Sequence, residues 1–159
     1  MKSSRTALII DDEKQIRRLL RLALEGADHN VYEAETGQAG LSEIVHRRPD
    51  VVLLDLGLPD MEGVKVLRRL REWSDVPVLI LTGQWDPVTP PANGERAAKT
   101  LTNSLHVVVP SGAHGLDGLE GMDCIDNLIV EFIERGTSKG LDTSCVKDIH
   151  RKGFALKFQ

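Results

Sequence analysis

No apolar run in this 159-residue chain approaches the roughly 20 residues that a membrane-spanning helix needs, and the N-terminal MKSSRTALIIDDE reaches acids before any signal-like apolar core develops. A soluble, cytoplasmic chain with no membrane partner is the expectation. Basic residues form no stripe either. Acids and bases are mixed along the whole length, and the formal net charge is -4, so nothing tracks a phosphate backbone and nucleic acid is not an expected partner of this chain alone. Cysteine is scarce: Cys124 and Cys145 can form one bridge or stand as two buried thiols, but they cannot define a disulfide framework. Internal repeats and low-complexity segments are absent. A chain of this length usually makes one domain and buries a core without staples, so residues 1–159 are expected to form a single α/β unit.

What is present is an alternation of short apolar runs with helical patterns. Residues 6–10 read as a strand that stops in Asp11, Asp12 and Glu13, acids that also favour a helix start. A helix over 14–25 follows, with Ile16, Leu19, Leu20, Ala23 and Leu24 at helical spacing and Arg17, Arg18 and Arg21 facing mostly outward. Residues 29–34 form a short strand, and Thr36 caps a helix that runs to about residue 47. The run VVLLD at 51–55 is too continuous for a strand with a wet face, which places it centrally in a parallel sheet. Val64, Leu67, Leu70 and Trp73 give the third helix its buried side.

PVLILTG at 77–83 reads as another buried central strand. Then come a proline-rich loop, a helix at 92–101 with Pro90 and Pro91 at its first turn, a strand at 105–109, and a glycine-rich loop. The last helix spans 122–135, and residues 137–159 form a tail that packs on the surface or swaps onto a neighbour. Right-handed crossovers turn this alternation into a three-layer, doubly wound parallel five-stranded sheet.

Loops at the carboxyl ends of parallel strands gather into one rim where ligands bind. Asp11 and Asp12 end the first strand, Asp55 the third and Thr82 the fourth. Converging carboxylates repel one another unless a hard cation lies between them, and Mg2+ suits an all-oxygen set. Asp55 would then be the nucleophile toward a phosphoryl donor. On the motifs IIDDE, VVLLDLGLPDMEG and VPVLILT, residues 4–83 resemble the receiver domain of bacterial two-component response regulators, especially the winged-helix regulator branch. The resemblance implies Asp55 as phosphoacceptor, Asp11 and Asp12 as magnesium-binding acids, the Gly57 carbonyl as a further ligand and Thr82 as the switch hydroxyl. It also implies a sensor histidine kinase or a small phosphodonor as partner. A receiver carries a lysine followed by proline at the end of strand five, with an aromatic residue just before. Here that strand reads LHVVVPSGAHG with neither, and Lys99 lies in the preceding helix. Loss of that charge-assisted bond to the transferred group is expected to impair phosphorylation.

The later part resembles another family. PVLILTGQWDPVTPP, PSGAHG and LDTSCV, within residues 77–150, are similar to the C-terminal segment of α/β-hydrolases of the tripeptidyl or prolyl aminopeptidase-like branch. That resemblance implies Asp86 as triad acid, His114 as triad base and a Cys124–Cys145 disulfide. A G-x-S-x-G nucleophile elbow is missing, and Ser111 lies on a loop after the strand, so Asp86 and His114 are expected to be relics in a protein that is not an enzyme. The whole reads as a chimera, natural or engineered, with residues 1–83 receiver-like and PVLILTG as the seam. The topology of the parent folds, kept across that seam, implies a flavodoxin-like strand order 2-1-3-4-5, in which the first and last helices share a face and Leu20 and Leu24 should meet Ile129 or Phe132. An inactive chimera and a hydrolase fragment are the alternative readings.

Overall fold

The computed structural model describes residues 3–153. Its elements alternate as expected: β1 (Thr6–Ile10), α1 (Lys14–Glu25), β2 (Asn30–Ala34), α2 (Gly37–Arg47), β3 (Val51–Leu54), α3 (Gly63–Arg71), β4 (Val78–Gly83), α4 (Pro91–Thr100) and β5 (Ser104–Val109). Then come β6 (Leu119–Glu120), α5 (Asp123–Arg135), a 3-10 turn at Ser144–Asp148 and β7 (His150–Arg151). The first five strands form one parallel sheet in the order β2-β1-β3-β4-β5.

The continuous apolar runs have a simple cause: both faces of the sheet are covered. Alternate residues of one strand enter opposite cores, Ala7 and Ile9 with Val51, Leu53 and Leu79 on one side, and Leu8 and Ile10 with Val52, Leu54, Val78 and Ile80 on the other. The first side is closed by α1 and α5, where Leu20 and Leu24 share a cluster with Ile129 and Phe132. The second is closed by α2, α3 and α4 through Ile44, Leu67, Leu70 and Ala97. Ile80 is fully buried, and burying such a side chain contributes about 1.5–3 kcal/mol. Helix α2 begins where Thr36 Oγ1 accepts the Ala39 amide at 3.1 Å. Asp60, from the loop after β3, accepts the amides of Gly37 and Gln38 at the same end, at 2.8 and 2.9 Å.

Several expectations change. Arg17 does not face outward: it is 4% exposed, donating from Nε to Glu33 and from Nη1 to the Asp11 carbonyl. Its long stem packs as an apolar chain, while β2 supplies the carboxylate that makes burial of the head tolerable. Leu19 stays exposed because the buried line of α1 runs through Ile16, Leu20 and Leu24, one turn apart. Trp73 also is exposed, since α3 ends at Arg71. His29 precedes β2 instead of opening it.

The tail returns to its own domain. β7 pairs antiparallel with β6, Val146 and Ile149 are buried in the α1 and α5 core, and a Cys124–Cys145 disulfide joins the 3-10 turn to α5. Residues 154–159 of the expected tail lie outside the described residues.

Candidate functional site at the carboxyl rim

Each acid of the cluster is held by the strand that precedes it. Beyond β1, the Asp11 amide donates to the Ala34 carbonyl at 3.1 Å, so the backbone stays strand-like for one more residue and the side chain is buried. Asp11 Oδ1 accepts the Glu13 amide at 2.8 Å. Beyond β3, the Asp55 amide donates to the Ile10 carbonyl at 2.9 Å, which sets Asp55 beside Asp11. The loop after Asp55 folds back sharply: Gly57 bridges to Glu62, and a side chain at Gly63 would come within 2.4 Å of the Asp55 carbonyl oxygen. Only glycine permits that approach.

The result is a cluster in which one carboxylate oxygen each from Asp11, Asp12 and Asp55 lie within 4.8 Å of one another. Such crowding resists ionisation. Burial, followed by the Asp55 charge, pushes Asp11 up to about 7 against the bond from the Glu13 amide. Burial and the Asp12 charge also raise Asp55, while the Gly57 amide and His114 oppose the shift.

The second constellation opens on the same space. Gly83 ends β4, and a Cβ there would lie 2.1 Å from the Ala113 carbonyl, so the loops after β4 and β5 touch backbone to backbone. That contact brings Asp86 and His114 together, with Nδ1 and Oδ2 3.1 Å apart. Asp86 is buried and well supplied with donors: Oδ1 accepts the Val88 and Thr89 amides at 2.8 and 3.0 Å, and Oδ2 accepts the Thr89 hydroxyl at 2.6 Å. Burial works against its charge, but the Thr89 donors, His114 and the Val88 amide outweigh it and hold the carboxyl below its usual range. Its bond to His114 holds the imidazole above its ordinary value, against partial burial.

Asp11, Asp55, Thr82, Asp86 and His114 all line one cavity of about 270 Å³ whose floor is apolar, formed by residues such as Leu20 and Ile125. The sequence separates the two sets, yet the structure joins them. A Cβ on Gly57 would lie 3.5 Å from His114 Cε1 and 3.7 Å from Asp55 Oδ2, so imidazole and carboxylate both border the space that a side chain at Gly57 would fill.

Three residues of this rim escape a reading of motifs. Glu13 Oε1 is 3.9 Å from His114 Nε2. Thr89 anchors Asp86. Thr82 Oγ1 is 2.7 Å from His106 Nε2, so the expected switch hydroxyl is already engaged. Burial lowers the pKa of His106, whose ring lies over Gly94 of α4. The parallel register pairing Thr82 with Val108 puts residues 82 and 106 on one face, and that pairing is the signal by which His106 can be found. Lys99 is exposed on α4, and Val109, which precedes Pro110, is buried and apolar. Ser111 adopts a left-handed φ of 58°. Its amide donates to Gln84 Oε1, and among the described residues its hydroxyl makes no hydrogen bond to His114.

Residues 7–104 match the response regulator receiver domain family. The chain belongs to that family. This receiver is 54% identical over 77 residues to the KDP operon transcriptional regulatory protein KdpE of Escherichia coli K12, a match covering 48% of this chain and 34% of the relative. It is 48% identical over 79 residues to the transcriptional regulatory protein KdpE of Mycobacterium tuberculosis CDC 1551 / Oshkosh, covering 50% of this chain and 35% of the relative. The receiver thus spans about a third of the length of these relatives. A CheY-like receiver domain protein from Methanospirillum hungatei JF-1 shares the fold, with a TM-score of 0.63 over 84% of this chain and 97% of that one at 22% identity. No helix among the described residues is long and apolar enough to cross a membrane.

Proposed function

We propose that the protein is a Mg2+-dependent phosphoacceptor of two-component signalling, modified on Asp55 by a sensor histidine kinase or a small phosphodonor in the cytoplasm. The observation that carries this reading is the convergence of Asp11, Asp12 and Asp55 oxygens within 4.8 Å. The donor set fits a hard divalent cation: it is all oxygen, and Asp11, whose carboxyl is raised by burial and then by the Asp55 charge, has a charged form that a cation would favour. Asp11, Asp12, Asp55 and the Gly57 carbonyl would hold the ion, which when bound supplies charge neutralisation at the transferred group. Asp55 then attacks phosphorus with a carboxylate oxygen, the donor's leaving group departs, and an acyl phosphate remains on the chain. Buried Val109 offers no cation at the end of β5, so uptake is expected to be slow. Thr82 would have to leave His106 to reach the phosphoryl group. The test is treatment with acetyl phosphate and Mg2+, followed by intact mass. One added phosphoryl group on the wild type and none on Asp55→Asn supports the proposal, whereas an unmodified wild type refutes it.

A second reading draws on the Asp86–His114 pair, whose 3.1 Å bond is that of a base with its orienting acid. It keeps the likeness of residues 77–150 to an α/β-hydrolase segment, and with it a chimeric origin joined at residues 77–83. Hydrolysis of an aminoacyl or ester substrate, lost in His114→Ala, would promote it. It ranks second because, among the described residues, the Ser111 hydroxyl makes no hydrogen bond to the base.

A further inference from the structure

We infer that His114, oriented by Asp86, is the general base in the hydrolysis of a phosphoryl group carried on Asp55. The inference rests on the phosphoacceptor reading above. Asp86 Oδ2 accepts from His114 Nδ1 at 3.1 Å, and a carboxylate whose other oxygen is filled by two amides offers only acceptance. The hydrogen therefore resides on Nδ1, and Nε2 is left as the nitrogen that can take a proton. Nε2 has Glu13 Oε1 as a charged neighbour at 3.9 Å, too far for a direct hydrogen bond and suited to a water held between the two. His114 is 42% exposed, so water reaches it, and its ring edge borders, with the Asp55 carboxylate, the space that a side chain at Gly57 would fill, in the cavity that both residues line. The cavity of about 270 Å³ holds a phosphoryl group and several waters, each filling about 30 Å³ of liquid volume.

In the step assigned to this geometry, a water oxygen bonds to phosphorus while the bond from phosphorus to the Asp55 carboxyl oxygen breaks. The electron pair returns to the Asp55 carboxylate, and the water proton passes to His114 Nε2. Orthophosphate is the product, and the imidazole gives up its proton to solvent afterwards. Asp86 touches no reacting atom; it is a positioning residue that sets the tautomer and the ring plane. The pair thus acts on a phosphoryl group already present on the chain and needs no serine.

The test loads the full chain with radiolabelled acetyl phosphate and Mg2+, removes the donor, and follows loss of label from the wild type, His114→Ala and Asp86→Asn, with Asp55→Asn as blank. The expected result is a label on His114→Ala that lasts on the order of 10²-fold longer than on the wild type. Free imidazole should restore rapid loss to His114→Ala and not to Asp86→Asn, an effect that a purely structural role would not produce. Slower loss in heavy water is expected for the wild type and absent in His114→Ala. An unchanged or shorter lifetime in His114→Ala, or failure of imidazole to rescue it, overturns the assignment and leaves the phosphoacceptor reading intact. Label on neither protein overturns both, and label accumulating on His114→Ala alone supports both.

Discussion

Replacing Asp11 by asparagine keeps the shape of the side chain and removes its titration, which isolates the strain of the acid cluster. In the folded chain Asp11 holds its proton up to about 7, against an ordinary value of 3.8. A carboxyl raised in the fold contributes stability that is fully present below its unfolded value and lost as pH rises through its folded one. Linkage puts the loss at about 2–3 kcal/mol between about pH 5 and about pH 8. Asp11→Asn escapes that loss, so the stability difference between variant and wild type should shift in the variant's favour by about this amount across the same window. Asp55 and His114 are raised too and titrate in the same sense, which makes the difference between the two proteins the proper readout. Asp60 and Asp86 are lowered, so their contributions are lost only in more acid solution. The assay is urea unfolding with a chelator present at both ends of the window. Mg2+ added at the alkaline end should stabilise the wild type and leave the variant nearly unmoved. Parallel stability profiles for the two proteins would refute the idea that burial and Asp55 crowd this carboxyl.

Other consequences follow from single contacts. Thr82→Val strips the half-buried His106 of its partner at Nε2 and should cost about 1 kcal/mol in denaturant unfolding, whereas Thr82→Ser should cost less. Reduction of Cys124–Cys145, which are 21 residues apart in sequence, should destabilise the fold by about 3 kcal/mol on loop-closure entropy, seen as a lower unfolding midpoint with a reductant. Arg17→Met keeps the buried stem but removes the bonds to Glu33 and the Asp11 carbonyl, and should cost about 2 kcal/mol by the same assay.

The sheet was legible because its central strands must be apolar on both sides: VVLL at 51–54 and VLIL at 78–81 carry no alternation, and both cores receive them. The aspartates were legible for a related reason, since parallel topology carries strand ends to one rim. What escaped is set by side-chain chemistry across elements. Arg17 looked like a solvated helix residue, and its pairing with Glu33 on β2, with Glu35 just beyond it and with the Asp11 carbonyl makes its burial tolerable. The two-residue strands β6 and β7 have no periodicity to read, and a disulfide and two buried apolar residues place them beside α5. The joining of His114 to the Asp55 rim depends on the close approach of Gly83 to Ala113, a contact between loops 30 residues apart that no local pattern records. Strand five shows the opposite case: its want of a lysine was plain in the sequence, while the proximity of an imidazole to the same site was not.

The most direct measurement is the intact mass of the protein after acetyl phosphate and Mg2+, read beside Asp55→Asn and beside a sample with the metal chelated. A single phosphoryl group found on the wild type, absent from Asp55→Asn and absent without metal, is the predicted result. A wild type that stays unmodified with metal present, or an Asp55→Asn that gains the same mass, would contradict the assignment of Asp55 as phosphoacceptor.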